Sequence, residues 1–366
     1  MDKQIIDLSS RHNSFYWQSD RAITEAQIKE IFLDRHNAFD ANETKKAIEY
    51  GMRLYGKSDS DAKVIHINPP IKSGSINSVC RAQLNDGTEV IIRMHPIQIK
   101  NGYFWAEKAV ADAANAVKVP TFKTLFIDDS KKYVPFDFMI TSCLPGENMK
   151  HAGPFSPDLD KILIEDTGRL LAFTHSVKTN RYGFFDNKKA RKGELRGIHN
   201  SWKDHIYASF QDNLAYLVKM ESIKENERIS IEQIFKDNDS LIVCDSPRLV
   251  HNDLADWNEL TDGTKITGFL DWDEAFSGDP ICDFSAYSVF YDDARLGHLI
   301  HGYKTLSKLP SDFENKFHLY KLRYIISKMT LRTKRSVWDK SEFVTTLLAF
   351  SKKLLQDELL WQKNNK

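Results

Sequence analysis

His251-Asn252-Asp253-Leu254-Ala255-Asp256-Trp257-Asn258 places Asp253 and Asn258 five residues apart, and Phe269-Leu270-Asp271-Trp272-Asp273 follows as an apolar run ending in carboxylates. These residues sit on an island of short predicted strands, 248–251 and 265–270, within a region whose remaining pattern is helical. Downstream, Phe317, Tyr320, Tyr324, Ile325 and Leu331, then Phe343, Leu347, Leu348, Leu354 and Leu355, recur at the spacing of long amphipathic helices whose stripe is core. Upstream, Ser156-Pro157-Asp158 supplies a Ser cap and a Pro at the first helical position. Before it, Leu144-Pro145-Gly146 breaks regular structure and marks a hinge. Still earlier the period changes to two: Val64-Ile65-His66-Ile67, Ser78-Val79-Cys80-Arg81-Ala82 and Glu89-Val90-Ile91-Ile92-Arg93-Met94 read as strands, with Asn85-Asp86-Gly87 as a hairpin turn. A helix is predicted over 103–116 and strands over 124–128 and 136–141. The pattern divides the chain into a helical extension over 1–62 that packs on an N-terminal lobe, that lobe over 63–144 with an antiparallel sheet, and a mostly helical C-terminal lobe over 145–366.

The composition narrows the function. With 366 residues and 41% hydrophobic content, the chain can bury a sizeable core, so a fibrous or disordered protein is excluded. Lys plus Arg equals 51 and Asp plus Glu equals 51, which leaves no global field for nucleic acid. The apolar runs are far shorter than the roughly 18 residues of a membrane span, so no membrane partner is expected. Met1-Asp2-Lys3-Gln4 leads into no apolar signal segment. Four scattered cysteines, Cys80, Cys143, Cys244 and Cys282, fit neither a disulfide framework nor a zinc cluster, and a reducing cytoplasm suits them best.

Phosphoryl transfer from ATP needs an Asp to hold or deprotonate the attacking hydroxyl, and oxygen ligands for the magnesium ions that bridge the phosphates. Asp253, Asn258 and Asp271 have the order and spacing of the kinase pattern H-R-D-L-x-x-x-N followed by a metal-binding Asp on a later strand. Taken with Leu270-Asp271-Trp272-Asp273-Glu274-Ala275 and Gly278-Asp279-Pro280-Ile281-Cys282-Asp283, the segment resembles the signature of the aminoglycoside phosphotransferase-like kinases. Ser73-Gly74-Ser75-Ile76-Asn77, Asp86-Gly87 and Val90-Ile91-Ile92-Arg93 are similar to that family's phosphate-covering hairpin and the strand after it. Glu107, thirteen residues before Pro120, falls where the family's helix supplies a partner to the phosphate-binding cation. Leu171-Ala172-Phe173-Thr174-His175-Ser176 and Tyr182-Gly183 resemble its helix-end signature.

The resemblance implies an α+β, protein-kinase-like fold of two lobes, and roles by position. Asp253 is the implied catalytic base or hydroxyl-orienting group, and Asn258 and Asp271 the implied magnesium ligands. Arg93 contacts the ATP phosphates and pairs with Glu107, while Ser73, Gly74 and Ser75 cover the phosphates. Ser142 and Cys143 offer backbone groups to adenine, and GTP is the alternative donor. Three departures stand out: Asn252 replaces the commoner Gly, as in choline-kinase-like relatives; Arg93 stands where many kinases use Lys, with a planar fork in place of a point charge; and the hairpin holds Gly74 alone. No D-F-G or A-P-E motif is present and the Asp lacks its adjoining Arg, so the acceptor is expected to be a small molecule and not a protein.

Each residue also has a plain reading. Asp253 and Asn258 could cap turns, Arg93 could be an exposed strand residue, Glu107 a solvated helix charge, and His251, Asp279 and Asp283 structural groups. Residues 245–293 carry twelve acids against Arg248 and Lys265, a net charge of −10. Asp256, Asp273 and Glu274 could therefore line a mouth for a cationic acceptor such as an aminoglycoside or a choline-like amine, or form a solvated acidic face. The expected activity is phosphorylation of a hydroxyl on a small, amine-bearing molecule. Its rivals are a housekeeping kinase for choline, thiamine or a sugar-like acceptor, and a nucleotide-binding pseudokinase serving as an interaction module.

Overall fold

Strict alternation along residues 78–94 builds the first lobe. Ser78, Cys80, Ala82 and Leu84 point inward from one strand, and Val90, Ile92 and Met94 from the next, while Arg81, Gln83 and Glu89 stay exposed. The computed structural model describes residues 5–37, 39–71, 77–100 and 102–365. In it Ser78–Leu84 and Glu89–Met94 pair antiparallel with Ser78 opposite Met94 and Val79 opposite Arg93. The sheet runs Val64–Ile67, Ser78–Leu84, Glu89–Met94, Phe138–Ser142, Thr124–Asp128, with every pair antiparallel. Its inner face packs on the helix Ala41–Leu54 through Ala47, Ile48 and Met52, a helix started by Asp40, whose side chain accepts from Asn42 and Glu43 N–H. Arg93 lies on the opposite face of its strand from Ile92 and Met94, and so faces the second lobe.

The chain leaves the sheet at Ser142 and turns through Gly146, whose φ is 99°. A Cβ there would stand 2.6 Å from the Thr261 carbonyl, so glycine is required both by the turn and by the close approach. Glu147–Asn148 then pairs with Glu259–Thr261, which pairs with Ile266–Phe269. The sequence grouped 248–251 with 265–270, but Arg248–Val250 belongs to a different sheet, ordered Gly197–His199, Tyr182–Phe185, Phe276–Gly278, Arg248–Val250. Strands of three or four residues are too short to show a period of two, which is why their partners were not read.

The second lobe is helical around Phe313–Ser336, which buries Lys316, Arg323, Lys328 and Arg332 along with its apolar residues. The helix Pro157–Thr174, capped by Ser156 as its sequence predicts, lies against Asp293–Lys304 with almost no side-chain spacer. A Cβ on Gly168 would come within 2.2 Å of the Leu299 carbonyl, and one on Gly302 within 2.0 Å of the Glu165 carbonyl.

The N-terminal extension differs from expectation. Among the described residues, Phe39, the helix Ala41–Leu54 and Ala62 pack on the first sheet; Ile6–Asp7 pairs with Ile99–Lys100, and residues 11–25 lie on the second lobe. There Asn13 accepts from Ser209 N–H at 3.0 Å, Asp20 from Asn213 at 2.9 Å, Glu25 from the Tyr216 hydroxyl at 2.6 Å, and the Ser19 carbonyl from Lys334 at 2.6 Å. The residues that make these bonds are polar, so apolar periodicity carries no trace of them.

Gly168→Ala and Gly302→Ala should each destabilise the fold by about 1–3 kcal/mol, because backbone atoms cannot move aside as side-chain tips can. Gly297→Ala, on the same helix as Gly302 with nothing within 4 Å of the new atom, should stabilise by up to about 1 kcal/mol. Urea unfolding of the three variants measures both signs.

Candidate active site

The loop after Arg248–Val250 is fixed by backbone bonds to a buried acid. Asp283, on the helix Ile281–Tyr287, accepts His251 N–H at 2.9 Å and Asn252 N–H at 2.7 Å, and meets His175 Nε2 at 2.9 Å. Asn252 is left-handed, φ 70°, and fully buried. Glycine and asparagine are the residues that tolerate this conformation, which accounts for the exchange of one for the other noted in the sequence. Asparagine adds two bonds here: its amide donates to the Glu274 carbonyl at 3.0 Å, and its oxygen accepts from the Tyr324 hydroxyl at 2.5 Å. His251 is structural, as its plain reading had it, with Nε2 at 3.0 Å from the Leu270 carbonyl, its ring against Trp272, and its basicity lowered by burial.

The turn presents Asp253 beside Asn258. The Asn258 amide donates to the Asp253 carbonyl at 2.7 Å and to its Oδ2 at 3.2 Å, while the Asn258 carbonyl accepts Leu270 N–H at 2.8 Å. That last bond sets the Asp271 end of the second strand next to the loop. Asp271 is itself left-handed, φ 61°, and its side chain is 41% exposed where that of Asp253 is 7% exposed. Strain of this kind at a non-glycine residue survives only where its surroundings fix it.

Across the lobes, Arg93 bonds Glu107 through Nη1 and Asp271 Oδ1 through Nη2 at 3.3 Å. Glu107 is 1% exposed, so the solvated-helix reading does not apply; burial pushes its carboxyl up while Arg93 opposes the shift. Burial and the Asp273 carboxylate push Asp271 up to about 7, and burial with the Glu107 carboxylate pushes Asp273 up to about 6. Acids crowded in this way gain from a divalent cation. Asn258, with its amide nitrogen committed to Asp253, has its side-chain oxygen to offer, and the Asp271 carboxylate is the more open of the two acids. Among the described residues no group of three or more His, Cys, Asp or Glu side chains forms a metal cage. Magnesium takes one or two protein oxygens and otherwise water and phosphate, and an Asn oxygen beside an Asp carboxylate is a donor set of that kind.

The remaining candidates divide. Ser142 ends its strand with its N–H donated to the Lys123 carbonyl at 2.8 Å and its Oγ accepting Lys123 N–H at 2.9 Å, so its backbone donor is already engaged; half-buried Cys143 follows it. Ser73, Gly74 and Ser75 lie outside the described residues. Two expected acceptor-facing acids are otherwise occupied. Asp256 pairs with Arg295 at 2.6 Å, and Glu274 is fully buried, accepting Trp17 and Gln18 N–H at 2.9 Å each. Their partners are remote in sequence, so a local charge count could not show that these acids are matched. Asp273 stays in the cluster, its carbonyl accepting from Arg11, whose guanidinium lies 3.4 Å from the Tyr103 ring centre. The sequence reading missed Tyr16 and Lys328, which both reach the Asp253 carboxylate.

Two lobes, a buried Arg–Glu pair on one and an Asp–Asn–Asp set on the other define a kinase-like phosphotransferase. Residues 68–315 match the family model for APH, the phosphotransferase enzyme family, and the chain belongs to that family. No curated protein matches it in sequence. A thermostable mutant of the aminoglycoside phosphotransferase APH(4)-Ia, solved as a ternary complex with AMP-PNP and hygromycin B, is similar at a TM-score of 0.62 and 16% identity over 86% of this chain and 99% of that one. Macrolide 2'-phosphotransferase MphH from Brachybacterium faecium, an apoenzyme, is similar at 0.54 and 16% over 83% and 97%. The fold is thus the α+β protein-kinase-like fold, and the chain is a member of a phosphotransferase family. No helix among the described residues is long and apolar enough to cross a membrane.

Asn252→Ala should destabilise the protein by about 2–4 kcal/mol, since it strands the Tyr324 hydroxyl and the Glu274 carbonyl and keeps a left-handed backbone. Asn252→Gly should cost less, because the backbone is then unstrained. Thermal unfolding of the pair checks the order.

Proposed function

We propose that the chain transfers the terminal phosphoryl group of ATP, with magnesium, to a hydroxyl of a small molecule. The observation that carries this reading is the joining of Asp253, Asn258 and Asp271 by the Asn258 amide and the Asn258–Leu270 backbone bond. Asp253 orients the acceptor hydroxyl and takes its proton as the oxygen attacks phosphorus. Asn258 and Asp271 hold the metal, which when bound neutralises charge on the phosphates. Arg93, aimed by Glu107, meets the phosphates as a planar fork. By the family resemblance Ser73, Gly74 and Ser75 are assigned to the phosphates, and the chain at Ser142 and Cys143 receives the base, with Cys143 the better placed because Ser142 N–H is spent. GTP is the alternative donor. All four cysteines are free, which supports a cytoplasmic setting.

For the acceptor, an amine-bearing compound such as an aminoglycoside is supported by Asp273 and by the hygromycin B held in the similar structure. Among the housekeeping alternatives of choline, thiamine or a sugar-like compound, the neutral sugar-like acceptor gains ground from the pairing of Asp256 with Arg295 and the capping by Glu274, which take two acids out of the expected mouth. A pseudokinase is disfavoured by the intact Asp–Asn–Asp set.

Asp253→Asn should lower turnover by about 10²–10⁴-fold while nucleotide binding is unchanged, because the lost interaction forms on the way to the transition state. Asn258→Ala and Asp271→Ala should instead weaken nucleotide binding in the presence of magnesium and leave it unaltered without the metal. Titration of each variant with and without magnesium separates the two roles, and near-native turnover in Asp253→Asn would remove Asp253 from the reaction.

The acceptor is found by following ADP release against pooled hydroxyl compounds, with hygromycin B, choline and thiamine among them. Amine-bearing compounds should be turned over. Turnover confined to neutral or anionic compounds would contradict the cationic acceptor.

A further inference from the structure

Two residues that no motif contains touch the carboxylate assigned above as the catalytic base. The Tyr16 hydroxyl donates to Asp253 Oδ1 at 2.8 Å, the Lys328 ammonium donates to the same oxygen at 3.1 Å, and Lys328 also meets the Tyr16 hydroxyl. Tyr16 comes from the N-terminal extension and Lys328 from the helix Phe313–Ser336, so both ends of the chain converge on one atom. Among the described residues Oδ2, on the Asn258 side, carries only the longer 3.2 Å contact. From these contacts we infer that Tyr16 and Lys328 are positioning residues, which hold Asp253 Oδ1 so that Oδ2 meets the acceptor hydroxyl.

The burial of Lys328 is the second support. Its side chain is 6% exposed, with the Tyr16 and Phe290 rings 3.8 and 4.4 Å from the ammonium. Desolvating an ammonium is costly, and a residue needed only to fill this space would be apolar. Asp253 is the acid it touches, so the charge is retained where it acts on that carboxylate. A lysine from a remote helix thus brings a fixed cation to the base, with no place in the local loop sequence Asp253-Leu254-Ala255.

The anchoring of Tyr16 argues for a permanent part of the site over a plug that substrate displaces. Phe15 and Tyr16 N–H both donate to Asp20, at 2.9 and 3.1 Å. Trp17 and Gln18 N–H are held by Glu274, and Arg11 by the Asp273 carbonyl. Ejecting Tyr16 would break bonds to the very strand end that carries Asp271 and Asp273. The extension is in this account a third wall of the active site.

The inference rests on Asp253 as the base, so the test includes that variant. Single-turnover transfer from ATP with magnesium, to hygromycin B or to water, whichever is faster, is compared in Tyr16→Phe, Lys328→Met, the double variant and Asp253→Asn, with ATP affinity titrated in each. Lys328→Met should slow transfer by roughly tenfold or more and Tyr16→Phe by several-fold, with ATP affinity within about twofold of wild type. The double variant should be about as slow as Lys328→Met alone, because both residues act on one oxygen. Should Lys328→Met not fold, Tyr16→Phe, which removes one oxygen atom, carries the test. Wild-type rates in both single variants with a loss in Asp253→Asn would overturn the inference, as would a fall in ATP affinity matching the fall in rate. A faster Tyr16→Phe would also overturn it, marking the phenol as an occupant of the acceptor's place. Retained transfer in Asp253→Asn would instead remove the base beneath it.

Discussion

The Asp283 carboxylate accepts the N–H groups of His251 and Asn252 on separate oxygens, at 2.9 and 2.7 Å, from inside a helix packed on the central Phe313–Ser336. Two parallel bonds to consecutive amides leave the loop one orientation. From them follow the left-handed turn at Asn252, the placing of His251 against Leu270, and the direction in which Asp253 leaves the loop. Charge-assisted bonds to a buried acid are strong because no water competes for them. The strained backbone at Asn252 and Asp271 is held by this frame. His175 joins the same carboxylate from the end of the Pro157–Thr174 helix, so the signature Leu171–Ser176 read from the sequence is tied to the loop it accompanies.

Four acids of the site are paired with cations. Asp253 meets Lys328, Asp256 meets Arg295, Asp271 meets Arg93, and Asp279 meets Lys316. Four of the twelve acids over residues 245–293 are thus paired with cations supplied from elsewhere in the chain, and the field available to a substrate is smaller than the local count implies. Arg93 occupies a double position, bonded to Glu107 on its own lobe and to Asp271 on the other. It links the strand Glu89–Met94 electrostatically to the proposed metal ligand Asp271.

What could be read from the sequence follows the range of the interaction. Ser156-Pro157 starting a helix, the Asn85-Asp86-Gly87 hairpin and the alternation on either side of it depend on neighbours in the chain, and they lie where the pattern puts them. The Asp253, Asn258 and Asp271 set was legible because a loop and the strand after it carry all three. Tyr16 and Lys328 were not, being 237 and 75 residues from Asp253 and having side chains that report nothing about a distant carboxylate. The partners of Asp256 and Glu274 were hidden on the same ground, since Arg295 and the Trp17 amide are remote from them in sequence. The extension does not lie wholly on the first lobe because hydrogen bonds accepted by Asn13, Asp20 and Glu25 dock residues 11–25 on the second, and polar residues leave no periodic mark.

A crystal structure of the chain with magnesium and AMP-PNP tests the central claim most directly. A magnesium ion is expected within about 2.1 Å of Asn258 Oδ1 and an Asp271 carboxylate oxygen, with Arg93 on the phosphates and Asp253 facing the terminal one. A nucleotide bound away from Arg93, or a metal that touches neither Asn258 nor Asp271, would contradict it.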